Sequence, residues 1–325
     1  MRLRLGEVAQ SAPYRLADSD WLSLGVPDRM EVVIEWGGSS MLYLEDFTVA
    51  TEDDEWQFFR HQKSRAFSDY YPFQLFPDKQ VPVLKFEPVT ILYGDNGSGK
   101  SSLLNIIAKK LGLKRGALYN RSSFFEKYVT LCDYTMHVPL PKQSAIMTSD
   151  EVFNHMLDLR ALNQGIDDKR EDIFKDYLDH KFGNFQYRNM ADYDELKKTL
   201  EIRRKTQSRY TREHLQKNVT ERSNGESAMH FFAERIQDNQ LYLLDEPENS
   251  LSPARQQELV RLLADSARFF GCQFIIATHS PFLLSLPGAK IYDLDVVPVV
   301  TKQWVELPEV QVYADFFKEN QDKFE

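Results

Sequence analysis

The sequence predicts an α/β fold built on a mostly parallel core sheet. Three stretches predict it. Thr90–Leu104, TILYGDNGSGKSSLL, reads as a buried strand, a glycine-rich turn and the first turn of a helix. Leu241–Leu244 and Phe274–Thr278 are short, wholly apolar runs that each end in polar residues. Strands that are apolar on both sides suit a parallel sheet covered on both faces, whereas half-exposed strands alternate.

Composition sets the bounds. The chain has 325 residues, room for one large α/β domain or two small ones. It is 42% hydrophobic and 27% charged, as soluble globular chains are. Its net charge of −9 argues against nonspecific nucleic-acid binding by the molecule as a whole, and leaves room for a local basic patch. Cys132 and Cys272 stand far apart without metal-ligand spacing and suit small apolar roles in a reducing compartment. The start, MRLRLGEVAQ, lacks the apolar core of a signal peptide, and no apolar run reaches membrane-spanning length. A cytoplasmic protein without direct membrane insertion is the expectation.

In chain order, residues 1–40 carry one strand candidate, Glu31–Trp36, before Gly37-Gly38. Met41–Ala50 is a better one, with Leu42, Leu44 and Phe47 among polar neighbours. Thr51–Tyr71 reads as loop or short helix. Among Tyr70, Tyr71, Phe73 and Phe76, one ring suits stacking on a purine, and packing beneath the sheet suits them all. Val89–Tyr93 is the central strand. After the turn, Leu103, Leu104, Ile106, Ile107 and Leu111 recur at helical spacing, and Gly112 stands where a helix stops.

Tyr119–Pro141 reads as strand and loop. Asp150–Leu162 carries Val152, Phe153, Met156, Leu157 and Leu159 at helical spacing behind an N-cap at Ser149 or Asp150. Asp167–His180 predicts a second helix, and Glu195–Glu221 a long polar one. Between Lys197 and Arg222 stand nine basic residues and three acidic ones. A solvated helix face and a contact with phosphate or nucleic acid both fit that run. Ser252-Pro253 opens a helix, with Ser252 as N-cap and Pro253 first inside, that runs to about Phe270 and stops at Gly271.

The chemistry sits at the strand ends. Gly94, Gly99, Lys100 and Ser101 fit G-x-x-x-x-G-K-[ST], the phosphate-binding loop. Its glycines turn successive backbone N–H groups inward, and the following helix adds its positive end. Lys100 can reach the β- and γ-phosphates, and the Ser101 hydroxyl can hold Mg²⁺. Asp245 and Glu246 follow the strand 241–244: the first suits Mg²⁺, the second can polarise an attacking water. His279 ends the strand 274–278, at the edge where ligands bind in open α/β sheets, and suits contact with a γ-phosphate.

The order of phosphate loop, Ser223-Asn224-Gly225-Glu226-Ser227, LYLLDEPENSLSP and ATHSP resembles the ABC-type ATPases. Within them it is similar to the soluble RecF/SMC-like branch of "predicted" AAA family ATPases. Ser223, Asn224, Gly225 and Glu226 match that family's signature, 22 residues before Asp245, with Arg222 and Asn224 in place of leucine and glycine. The resemblance implies a P-loop fold with an N-terminal antiparallel β region and a helical lobe between phosphate loop and signature. It implies one domain over 1–325: a core lobe at 41–142 and 226–325, a helical lobe at 143–225, and 1–40 as an extension. ATP would be held by Gly94, Asp95, Asn96, Gly97, Ser98, Gly99, Lys100, Ser101 and Ser102 of one copy, and by Ser223, Asn224, Gly225 and Glu226 of a second. Mg²⁺ would be held by Ser101, Asp245 and Gln143, the last standing 43 residues after Lys100 as the family's glutamine. Glu246, His279 and Lys100 would be catalytic. Asn249–Ser252 would be the loop that meets the second copy, with Ser252 in place of aspartate. The resemblance implies ATP hydrolysis in a head-to-tail dimer that drives a nucleic-acid-linked or defence-linked process with a protein effector, DNA or RNA meeting Lys197–Arg222. A transporter's ATPase subunit and an ATP-timed regulatory module are the alternatives.

Overall fold

The computed structural model describes residues 41–61, 69–183, 192–215 and 224–324. The extension 1–40, with its strand candidate Glu31–Trp36, lies outside the described residues.

The chain opens with strand β1 (Leu44–Thr48) and helix α1 (Glu52–His61). A reciprocal cap starts α1: Asp54 N–H donates to Thr51 Oγ1 (3.2 Å) and Thr51 N–H to Asp54 Oδ2 (3.0 Å). Short β2 (Leu84–Lys85) and the central β3 (Val89–Tyr93) follow, then α2 (Lys100–Leu111), which ends on Gly112 at φ 67°. Next come β4 (Lys114–Arg115), α3 (Phe125–Leu131), β5 (Asp133–Met136) and β6 (Ala145–Thr148). The stretch expected as strand and loop at 119–141 thus contains a helix. Phe125, Tyr128 and Val129, spaced three and four apart, bury its inner face.

Helix α4 (Ser149–Phe182) runs for 34 residues, about 50 Å at 1.5 Å per residue. It replaces the two helices expected at 150–162 and 167–180. Gly165 does not break it, because a lone helical glycine costs only about 1 kcal/mol and helix continues on both sides. The N-cap is Thr148, whose hydroxyl accepts from Glu151 N–H, one residue before the expected position. The polar run 195–221 divides into α5 (Tyr193–Arg204) and α6 (Gln207–His214), with residues 216–223 outside the description. Lys205 caps the end of α5 in extended conformation, so the run bends there.

Then follow α7 (Asn224–Arg235), β7 (Leu241–Asp245), α8 (Pro253–Phe269), β8 (Gln273–Ala277), short α9 (Pro281–Leu284), β9 (Lys290–Asp293), β10 (Val300–Lys302) and α10 (Pro308–Glu319). Ser252 is the N-cap residue of α8, yet its side chain makes no capping bond; Pro253 starts the helix.

Seven strands form the main sheet in the order β10-β9-β3-β8-β7-β6-β4. All neighbours pair in parallel except β10, which runs antiparallel on the edge. A second, antiparallel sheet, β2-β1-β5, packs on one face. Because β6 pairs with β7, the helical lobe starts at Ser149 and not at 143.

Alternate residues of each central strand enter two cores. Leu92, Leu243 and Ile275 face the antiparallel sheet and α2; Ile91, Leu244 and Ile276 face α7 and α8. The wholly apolar runs were legible as such for this reason. Gln273 breaks the pattern. It is fully buried, and its side chain accepts from Tyr43 N–H and Leu44 N–H (both 2.9 Å) and donates to Leu44 O (2.8 Å). One amide thus bolts β1 to β8 where no ladder joins them.

Candidate functional site

Parallel pairing puts the ends of β3, β8 and β7 on one sheet edge. Asp245 stands level with Ala277, and Ala277 with Leu92. The phosphate loop leaves β3 there, and α2 begins at its last residues. Gly99 adopts φ 96°, a conformation that L side chains rarely take. At Gly94 a Cβ would meet Ser98 Oγ at 2.7 Å, so the loop closes only around glycine.

Lys100 is buried, and its ammonium donates to Gly94 O (2.5 Å) and Asp95 O (3.0 Å) at the mouth of the loop. Asp95, Asn96 and Gly97 form the exposed tip. Ser98 Oγ is buried without a partner. A loop of inward N–H groups, an ammonium resting on carbonyls and an orphaned hydroxyl fit a phosphate chain. Ser102 Oγ accepts from the Tyr71 hydroxyl (2.8 Å), and Ser101 Oγ donates to Asp245 Oδ1 (2.8 Å).

That second bond joins residues 144 positions apart. Burial raises the Asp245 carboxyl to about 6, against the opposing pull of the Ser101 hydroxyl; the neighbouring Glu246 carboxylate adds to the rise, and Lys100 opposes it. A hydroxyl and a buried carboxylate are hard oxygen donors, and a carboxylate so placed favours a cation, so the pair fits Mg²⁺.

Glu246 sits at φ 47°, strained for a non-glycine residue. Two bonds hold it there: its N–H donates to Ala277 O (2.9 Å), and Asn249 Nδ2 donates to its Oε2 (2.8 Å). Both carboxylates line a pocket of about 300 Å³ with Ser101, Tyr71, Arg115 and Ser149. His279 is half-buried at the end of β8, on the same edge.

Two expectations fall elsewhere. Gln143 lies at the opposite end of β6. Thr148 stands level with Asp245, whereas Gln143 sits in the turn two residues before β6 begins at Ala145. There Gln143 N–H donates to Gln240 Oε1 (3.0 Å), and its side chain accepts from Lys114. Counting from Lys100 failed because α3 and β5 lie between. Thr148 is the residue that β6 brings to the edge, and Ser149 and Asp150 join it in the pocket. Of the signature, Ser223 lies outside the described residues. Asn224, Gly225 and Glu226 form the first turn of α7 and do not line the pocket. Arg160 Nη2 donates to Asn224 Oδ1 (2.5 Å), and Arg255 Nη2 to Glu226 Oε1 (3.2 Å).

Three residues at this edge escaped the sequence reading, and Tyr71, named there only among the rings that suit a purine, takes a different part. Tyr71 holds Ser102. Asp295 accepts from Asp95 N–H (2.7 Å) and braces the loop from the turn after β9. Arg115, its guanidinium held below its usual range by burial, bonds Asn105 and covers Tyr119 at 4.2 Å. Glu248 is buried between the loops after β7 and β8. Of the three, only Glu248 carried a signal, the third acid of DEPE, three residues after Asp245.

Residues 150–285 match a family described as "AAA domain, putative AbiEii toxin, Type IV TA system". No curated protein matches the sequence. Among solved structures, the chain is similar to the Smc head domain of Pyrococcus furiosus bound to the C-terminal domain of ScpA: 14% identity, TM-score 0.41, covering 86% of this chain and 100% of that one. It is similar to the SMC head domain of Thermotoga maritima at 12% identity and TM-score 0.36, covering 80% and 99%. A third likeness is cbiO1 of Clostridium perfringens, part of the ABC transporter complex cbiONQ, at 16% identity and TM-score 0.33, covering 74% and 86%. The fold is defined by this chain's own strand order, β10-β9-β3-β8-β7-β6-β4. That order, with Ser101 seated against Asp245 at the end of a parallel sheet, is a P-loop type of α/β fold, and residues 150–285 are the part of the chain that the AAA-domain family model matches.

Proposed function

We propose that the protein binds Mg-ATP at the phosphate loop and hydrolyses it with Glu246 as the group that polarises the attacking water. The observation that carries this reading is the 2.8 Å bond from Ser101 to Asp245, with Glu246 fixed beside it in a strained turn. The loop N–H groups and Lys100 bind the phosphates. Ser101 and Asp245 would hold Mg²⁺, which neutralises phosphate charge when bound. Glu246, its other oxygen occupied by Asn249, presents one oxygen to a water. His279 meets the γ-phosphate from the end of β8. The work is positioning and charge neutralisation on a rigid sheet edge.

The signature turn supports a head-to-tail dimer. β7 follows α7 and runs back toward the catalytic edge, so the N-terminus of α7 points to that edge while lying outside its own pocket. A second copy then brings Asn224 and Gly225 to the ATP, and two equivalent sites form. The description of the matching family names a toxin of a type IV toxin–antitoxin system, which supports a defence-linked cycle with a protein effector over transport. Among the described residues, no helix is long and apolar enough to cross a membrane. Nucleic acid remains a partner for the helical lobe through fewer residues than the run suggested. Lys198, Lys205 and Arg209 are spent on Asp176, Glu201 and Glu213, while Lys197, Arg204 and Arg212 make no ion pair among the described residues.

Phosphate release from Mg-ATP tests the reading. Wild-type protein is expected to release phosphate, and Lys100→Ala and Glu246→Gln to stay at background. Wild-type turnover by Lys100→Ala would place the activity elsewhere.

A further inference from the structure

Glu248 is the group at this edge that the hydrolysis scheme leaves unused. It is 5% exposed and sits three residues beyond Asp245, in the loop after β7. Its Oε1 accepts from Thr278 Oγ1 (2.5 Å) and from His279 N–H (3.2 Å), both in the turn after β8. Its Oε2 is buried with no partner. His279 Nδ1 stands 3.9 Å from Oε1, near the same carboxylate but beyond a direct hydrogen bond. A buried carboxylate with an unsatisfied oxygen costs stability, so its presence asks for a reason.

The turn it holds is the one that aims His279. Thr278 Oγ1, while donating to Glu248, accepts from Ser280 N–H (3.0 Å). Thr278 N–H donates to Leu92 O (3.3 Å), so the turn is tied to β3 as well. The backbone of His279 is therefore fixed on both sides by one carboxylate and one hydroxyl. With Nδ1–H turned to Glu248, Nε2 is the ring nitrogen left to meet a ligand.

Resting on the proposed ATP site, we propose that Glu248 is the positioning residue for His279: it fixes the turn and the ring so that His279 reports the γ-phosphate. Glu248 touches no nucleotide itself. Its clamp joins the acidic loop after β7 to the histidine turn after β8, so the two groups that bracket the γ-phosphate move as one.

The test reads how strongly the site tells ATP from ADP, in the Glu246→Gln background where no ATP is lost. The ratio of ADP to ATP dissociation constants is measured with Mg²⁺ for Glu248→Ala, Glu248→Gln, His279→Ala and the Glu248→Ala/His279→Ala pair, below the melting point of each. Glu248→Ala and His279→Ala should each lower the preference for ATP by about tenfold, within the range seen when a ligand's orienting partner is removed. The pair should lose no more than His279→Ala alone, because Glu248 acts through the ring. Glu248→Gln keeps an acceptor for Thr278 and His279 and should stay within about threefold of its parent, a rescue expected when hydrogen-bond acceptance is what matters. Losses that multiply in the pair, or an unchanged ratio in Glu248→Ala, overturn the proposal and leave the ATP site standing. A parent that binds neither nucleotide sinks the ATP site itself, and the role of Glu248 with it.

Discussion

Lys100 is buried with its charge satisfied only by two carbonyls, so replacing it leaves the phosphate chain without its cation. Lys100→Ala should weaken ATP binding by about 100-fold in a fluorescence titration, the scale of a lost charge-assisted bond at 2–3 kcal/mol. Asp245 makes a prediction about pH. Its carboxyl rises to about 6 in the folded, metal-free protein, from 3.8 in the open chain. The folded state therefore binds the proton more tightly, and stability falls as pH rises from about 4 to about 6. Asp245→Asn removes that penalty. It should raise the stability of the metal-free protein by about 3 kcal/mol at pH 8, and by about 1 kcal/mol at pH 4.5, at 1.36 kcal/mol per unit. Equal gains at both pH values in urea titrations would show that burial of the charge is not the cause. Residue types at strand ends were legible in the sequence for Lys100, Ser101, Asp245 and Glu246, since their motifs are local. Arg115 and Asp295 were not, and Tyr71 was read only as a ring and not as the partner of Ser102, because each reaches the site from a distant loop or strand with no fixed spacing.

At the scale of elements, the apolar runs that became β3, β7 and β8 were legible because burial on both faces leaves no polar position. Helix α2 showed both its ends. What the pattern missed were joins. Helices read as separate at 150–162 and 167–180 are one, since an apolar stripe fades along α4 where it leaves the core, while the backbone continues. Gln143 was misplaced for the same kind of reason: sequence distance from Lys100 does not say which end of β6 a residue reaches. Gln273 offers the sharpest test of an element-level join. Gln273→Leu would bury an apolar group of similar size but strand Tyr43 N–H and Leu44 N–H. It should cost about 2–4 kcal/mol, more than the amide's own transfer, because both donors lose their acceptor. A change under 1 kcal/mol would mean that β1 is held by its β2 and β5 ladders alone.

For the whole molecule, the sheet edge gathers residues from 94 to 102, from 245 to 248 and from 278 to 279, while the signature turn at 224–226 stands outside that pocket. The proposed head-to-tail dimer, in which a second copy brings its signature turn to the site, makes a prediction at this scale. Glu246→Gln with Mg-ATP should therefore run at twice the monomer mass in light scattering, and adding Lys100→Ala should return it to monomer. A monomer under saturating Mg-ATP would confine the chemistry to a single copy. If Lys100 binds the nucleotide and Glu246 drives its cleavage, the nucleotide recovered from the protein after one turnover with Mg-ATP tests both assignments at once. ADP is expected from the wild type, intact ATP from Glu246→Gln and no nucleotide from Lys100→Ala; ADP recovered from Glu246→Gln, or ATP held by Lys100→Ala, would overturn these roles.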